Sequence, residues 1–236
     1  MKAFIFAAGL GTRLAPLTND KPKALVEVNG VPMLQSLIEK LIRYNCNYLV
    51  INTFHFADKI MGFLNSHDFG IEIHVSDERN ALLNTGGGLK NAQRFFNPSD
   101  TFLVHNVDIF SDIDFNEMIN FHLQSGSVCT MAVTNRESSR CLLFDDDNML
   151  CGWRSKKTSE EIIVNKRAKY HEFAFSGIYV FNYKIFNLIH KQGAFEIIPE
   201  LLDIAKTNRI SAFIQTDKTV IDLGKIENIR LYESLL

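Results

Sequence analysis

Apolar residues fall in short runs separated by polar or glycine-bearing turns, and the spacing within the runs changes along the chain. Lys2–Ala7 is a short apolar run ending in glycines and predicts a buried strand. Met33, Leu34, Leu37, Ile38, Leu41 and Ile42 recur at helical spacing. Tyr48–Asn52 is β-rich, Ala57–Asn65 reads as a helix, and Ile71–Val75 alternates as a strand. Gly88–Phe96 predicts a helix stopped at Asn97-Pro98, and Thr101–His105 a second buried strand. Asp114 with Glu117 resembles a capping box, opening a helix that runs to about Gln124. Strand–helix units repeated in this way predict a mostly parallel sheet with helices on both faces.

The pattern changes in the second half. Val128–Thr134, Arg140–Phe144 and Met149–Trp153 are short strands, the last two joined by the turn Asp145–Asn148. Glu172–Asn182 is a longer strand, followed by helices at Tyr183–His190 and Ile198–Thr207, with Pro199 in the first turn of the second. Ser211–Gln215 and Thr219–Asp222 read as strands and Lys225–Leu235 as a closing helix. Arg154–Lys169, the most polar stretch, is expected as a mobile loop or exposed hairpin. The expectation is one Rossmann-like, three-layer α/β domain over residues 1–236. Its central sheet is mostly parallel, with a smaller antiparallel elaboration in the second half.

Composition narrows the class of function. The 236 residues carry 25 Lys and Arg against 27 Asp and Glu, a formal charge of −2. That balance disfavours a nucleic-acid binder, which needs a basic surplus. No apolar run reaches the roughly 20 residues of a membrane helix, and Gly9, Gly11 and Arg13 interrupt the N-terminal stretch before a signal-peptide core forms. Cys46, Cys129, Cys141 and Cys151 form no CxxC pair and most sit in largely apolar surroundings, which predicts small buried hydrophobes and a reducing, cytoplasmic setting.

The chemistry concentrates after the first strand. Ala7-Ala8-Gly9-Leu10-Gly11-Thr12-Arg13-Leu14 lets backbone approach a ligand and aims N–H groups at phosphate. A dinucleotide fingerprint needs a glycine where Leu14 stands, Pro16 and Pro22 discourage the helix it would open, and the GK[ST] of a P-loop is absent. There remains a glycine loop with two cations, Arg13 and Lys23, which either gather round a triphosphate or merely decorate a surface turn.

Read as a whole, GLGTRLAPLTNDKPKAL resembles the signature of the sugar-1-phosphate nucleotidylyltransferases, the nucleotide-sugar pyrophosphorylases. The resemblance implies that Ala8, Gly9, Gly11, Thr12 and Arg13 wrap the nucleotide phosphates, and that Arg13 and Lys23 contact phosphates during transfer. Leu83–Gly88 is similar to the family's glycine loop against the nucleobase, which implies base contacts at Thr85, Gly86 and Gly87, with Glu78 as a polar base contact. Three glycines ahead of a helix would let a flat base stack on bare backbone. Asn106-Val107-Asp108 follows a buried strand, where ligands of parallel sheets collect, and has Val107 in place of the family's usual glycine. Asp222 in Val220–Gly224 resembles the second family aspartate, with Val220 in the place of the usual aromatic residue. Phe175–Phe181 is similar to the family's FxGIxVF strand, whose glycine, here Gly177, admits a sugar ring.

By the resemblance, Asp108 and Asp222 are the ligands of Mg²⁺, and Lys23, Gly177 and Asp222 face the sugar phosphate. Residues 1–111 would form mainly the nucleotide half and residues 112–236 the sugar-phosphate half. The implied partners are a nucleoside triphosphate and a sugar 1-phosphate, in a cytoplasmic monomer or small homo-oligomer serving cell-wall or polysaccharide precursor synthesis. Length and the TGGG loop look most like the N-acetylmuramate-1-phosphate uridylyltransferases. Mannose- or heptose-1-phosphate guanylyltransferases and a silent nucleotide-binding homologue are the alternatives. The short chain gives no expectation of a β-helix or of acetyl transfer. Arg136 and Arg140 are either solvated or within reach of an acidic sugar substituent, His105 is expected to be packed, and Trp153 to be core or lid.

Overall fold

The computed structural model describes residues 1–215 and 217–234. Strand β1 (Lys2–Phe6) leads through the glycine loop to a small hairpin, β2 (Glu27–Val28) and β3 (Val31–Pro32), and then to α1 (Met33–Arg43). There follow β4 (Tyr48–Thr53), α2 (Ala57–Asn65), β5 (Glu72–Asp77), α3 (Asn84–Asn91), β6 (Thr101–Asn106), β7 (Ile109–Ser111) and α4 (Phe115–Ser125). The second half holds β8 (Cys129–Thr134), β9 (Arg140–Phe144), β10 (Leu150–Ser155), β11 (Glu161–Ile163) and the long β12 (His171–Asn182). It closes with α5 (Ile185–Leu188), α6 (Ile197–Ile204), β13 (Ile210–Ile214), β14 (Val220–Asp222) and α7 (Ile226–Glu233). The call of a closing helix to Leu235 ends outside the described residues.

The main sheet runs β11-β10-β9-β12-β6-β1-β4-β5, with β8 and β13 branching from β12. β1, β4, β5 and β6 are parallel, whereas β12 is antiparallel to β6, β8 and β9. The sequence sets the two faces by alternation. Ala3 and Ile5 of β1 pack with Leu34, Leu37, Ile38 and Leu41 of α1, while Phe4 packs on the opposite side with Leu89 and Phe186. Each fully buried leucine or isoleucine in these layers contributes about 1.5–3 kcal/mol. Asp114 caps α4 as its spacing predicts, its Oδ1 accepting from the backbone N–H groups of Asn116 (2.8 Å) and Glu117 (3.1 Å). All four cysteines are buried and free.

Several elements differ from expectation. The helix expected at Gly88–Phe96 begins at Asn84 and gives way to a 3₁₀ turn over Ala92–Phe95. Only one turn, α5, forms where Tyr183–His190 reads as a helix. Arg154–Lys169 is a hairpin in its first part, β11 pairing antiparallel with β10.

Candidate active site

β1 lies between β4 and β6, where the chain, having run β1 to β4 to β5, returns to the other side of β1, and a crevice opens beyond its C-terminal end. Phe6 is in register with Asn52 on one side and Asn106 on the other. Asn52 then organises the loop, its side-chain oxygen accepting from the N–H groups of Ala7 (2.7 Å) and Ala8 (3.2 Å). Gly11 adopts φ +69°, and its carbonyl accepts from the Thr18 hydroxyl at 3.0 Å, which turns the chain into the 3₁₀ turn Thr12–Leu14.

A cavity of about 290 Å³ occupies the crevice. Ala8, Gly9, Arg13 and Lys23 line one side, Asn52, Asn106 and Asp108 the floor, and Leu82, Asn84, Thr85 and Glu196 the far wall. Lys23 Nζ lies 2.8 Å from Asp108 Oδ2, with both side chains largely buried. Arg13 Nη1 lies 3.4 Å from Asp222 Oδ2 in a more exposed pair. Two features bring Asp222 to Asp108: β14 pairs with β7, setting Asp222 opposite Ile109, and the Leu223 N–H donates to the Asp108 carbonyl at 2.7 Å.

Gly224 marks where these groups converge. A Cβ at that position would lie 2.6 Å from Asp108 Oδ2, 2.8 Å from Asp222 Oδ1 and 2.9 Å from Arg13 Nη2. The two carboxylates therefore face one small volume. Among the described residues no cluster of three or more His, Cys, Asp or Glu side chains forms a complete metal cage. A pair of hard oxygen donors is nevertheless the set that suits Mg²⁺, which keeps waters and shares positions with substrate phosphate. The residues fit that ion.

Other expected site residues sit further back. Glu78 is 3% exposed and accepts from Asn52 Nδ2 (2.8 Å) and the Leu83 N–H (3.2 Å), so it supports the wall rather than facing a base. Burial, as the largest effect, raises its pKa. Gly86 and Gly87 offer no bare surface for stacking. They lie inside α3, and both N–H groups donate to the Phe195 carbonyl. A Cβ on Gly86 would strike the Phe195 ring, and one on Gly87 the Gly193 carbonyl oxygen. Gly177 adopts φ +74° at a bulge in β12, where a Cβ would lie 2.6 Å from Ile109 Cγ1, so its missing side chain admits Ile109. Gly11, Thr12 and Asp222 adjoin the cavity without lining it.

Asn52, Leu82, Asn84 and Glu196 are lining residues absent from the sequence expectation. Asn52 carried one usable signal, an amide at the end of a strand adjacent to β1. His105 is packed as expected, Nδ1 lying 2.7 Å from the Asn106 carbonyl oxygen, and burial lowers its pKa to about 3.

Known proteins share this architecture. UTP–glucose-1-phosphate uridylyltransferase of Synechocystis is 26% identical over 96% of this chain and 61% of its own length. N-acetylmuramate alpha-1-phosphate uridylyltransferase of Caulobacter vibrioides is 40% identical over 45% of each chain. The chain thus spans between about half and two thirds of those curated relatives. The crystal structure of HddC from Yersinia pseudotuberculosis complexed with GMP-PN superposes with a TM-score of 0.79 at 25% identity, covering 99% of this chain and 98% of that one. With the Nucleotidyl transferase family profile matching residues 2–230, the chain belongs to the nucleotidyl transferase family.

Proposed function

We propose that the protein transfers a nucleotidyl group from a nucleoside triphosphate to a sugar 1-phosphate, releasing pyrophosphate, with UTP and N-acetylmuramate 1-phosphate as the substrates. The observation that carries this reading is the meeting of Arg13, Lys23, Asp108 and Asp222 at one crevice behind a glycine loop. An oxygen of the sugar phosphate attacks the α-phosphorus, and the bond to the β-phosphate oxygen breaks. No protein nucleophile is required, because the attacking phosphate is already ionised at pH 7. The work of the chain is positioning and charge neutralisation. Loop N–H groups and Arg13 hold the triphosphate, Lys23 offsets negative charge near the α-phosphate, and Asn106 and Thr85 orient the nucleotide. Asp108 and Asp222 would hold Mg²⁺, which supplies Lewis-acid neutralisation of phosphate oxygens when bound.

The 40% identical stretch shared with the Caulobacter enzyme supports the uridylyl and N-acetylmuramate assignment, and with it a role in cell-wall precursor supply. The HddC complex with GMP-PN supports a second reading, guanylyl transfer. The test is pyrophosphate release for UTP, GTP, CTP, dTTP and ATP against a panel of sugar 1-phosphates, with and without Mg²⁺. Release that requires both the ion and an acceptor, highest with UTP, is expected. Release highest with GTP would establish the second reading, and no acceptor-dependent release would refute both.

A further inference from the structure

Glu78 is a buried carboxylate with no cation beside it. Its side-chain partners, Asn52 and the Leu83 N–H, are neutral donors, and the one charged neighbour that acts on it, Asp77, has the same sign. A carboxylate held in this way costs more to bury than the neutral amide of the same shape.

Hydrogen-bond polarity accounts for it. Asn52 Oδ1 already accepts from the N–H groups of Ala7 (2.7 Å) and Ala8 (3.2 Å). That fixes the orientation of the amide, because the reverse would set an NH₂ group against two N–H donors. Asn52 Nδ2 must therefore donate, and it does so to Glu78 Oε1 at 2.8 Å, while Glu78 Oε2 accepts from the Leu83 N–H at 3.2 Å. Position 78 has to accept at both ends. Glutamine has the shape, but its own NH₂ group would face a donor whichever way it turned.

Space is kept for the same bond. A Cβ on Gly88 would lie 2.8 Å from both Asn52 Nδ2 and Glu78 Oε1, so the third glycine of α3 leaves room for the two to meet. The bonds also run from one side of the crevice to the other. Asn52 holds the start of the glycine loop, and Leu83 stands between Leu82 and Asn84, which line the far wall. The Glu78 N–H donates to the Thr53 carbonyl at 2.8 Å, tying this link to the end of β4.

We propose that the Asn52–Glu78 pair is a brace that sets the width of the crevice between the glycine loop and the start of α3, and that Glu78 is a positioning residue for the triphosphate, acting without touching it. This rests on the nucleotidyl transfer reading and adds to it which buried group holds the nucleotide walls in place.

The test exchanges the polarity of the pair. Asn52→Asp sets one carboxylate oxygen against another, and Glu78→Gln sets an NH₂ group against a donor. Combined, the two substitutions satisfy every group again: the introduced aspartate accepts from Ala7, Ala8 and the introduced amide, whose oxygen accepts from Leu83. Each single variant should raise the KM for the triphosphate about tenfold, the cost of one unmade buried hydrogen bond, with the KM for the sugar 1-phosphate little changed. The double variant should return to within about threefold of wild type, since the losses of coupled residues do not add. The sign is informative for Glu78→Gln, because removing a negative charge near a polyanion would by itself lower that KM.

Urea midpoints should fall in both single variants and recover in the double. A merely structural pair would move the midpoints and leave the triphosphate KM of the folded variants unchanged, which overturns the proposal, as does a double variant no better than the worse single one. Where a single variant does not fold, the double variant should, and a double variant that does not fold is equally adverse. Calorimetric titration with UTP and with GTP, in Mg²⁺ and without a sugar phosphate, separates the two readings. Binding that weakens in the single variants and returns in the double, without pyrophosphate release when a sugar 1-phosphate is added, would uphold the brace and refute the transfer. Sugar-phosphate-dependent release with a triphosphate KM indifferent to all three variants would do the reverse.

Discussion

Gly224 has no room for a side chain because two carboxylates and a guanidinium already surround the place where it would go. Gly224→Ala must displace at least one of them. It is expected to remove about 2–4 kcal/mol of transition-state stabilisation, comparable to losing one preorganised charged group. Initial rates of pyrophosphate release, with circular dichroism to verify folding, measure it. Asp108→Asn and Lys23→Ala should each cost a similar 2–4 kcal/mol. They differ in stability, however. Lys23→Ala leaves the more deeply buried carboxylate without its partner, whereas Asp108→Asn leaves the less buried Lys23 ammonium beside an amide oxygen that can still accept its hydrogen bond. The lysine variant should therefore show the lower denaturation midpoint, and equal midpoints would contradict the pairing.

At the level of elements, α3 explains why its glycines misled the sequence reading. Glycine is a poor helix former, so Gly86–Gly88 suggested a loop before a helix. The first turn forms all the same, because the Phe195 carbonyl accepts from Gly86 and Gly87 while the Phe195 N–H donates to the Leu83 carbonyl. Only glycine allows that strap to come so close. Gly87→Ala should accordingly destabilise the protein by about 1–3 kcal/mol in urea titrations, the cost of overpacking, although it does not line the active-site crevice. What was legible was contiguous: β1, the loop behind it and the cap at Asp114 are all written within a few neighbouring residues. Asn52 and Glu196 reach the site through strand pairing and the α3–α6 contact; beyond the strand-end amide of Asn52, no short window of sequence encodes either placement. The Asp108–Asp222 meeting was legible only through resemblance, since the β14–β7 ladder that creates it joins segments distant in sequence.

Across the whole molecule, buried histidines contribute to the response to acid. His122 is enclosed with its Nδ1 2.9 Å from Thr130 Oγ1, and burial lowers its pKa to about 4; His105 lies lower still, at about 3. Both pKa values lie below that of an unfolded histidine, so unfolding takes up protons below about pH 6.5. The stabilising contribution of the neutral rings is complete above that pH and is lost as pH falls toward 4. Between pH 7.5 and pH 5 His122 alone should account for about 2 kcal/mol of lost stability. Urea midpoints of the wild-type protein and His122→Asn at the two pH values measure it, and parallel losses in both would exclude His122 as the source.

The hydrogen bond from Leu223 to the Asp108 carbonyl has a consequence for synthesis as well. A chain emerging from the ribosome exposes the glycine loop and Asp108 long before residue 222 is translated. Through that interval the crevice lacks Asp222 and the β14–β7 ladder that carries it. The short β14 segment thus acts as a late clasp, and the meeting of Asp108 with Asp222 can form only once translation has passed Gly224.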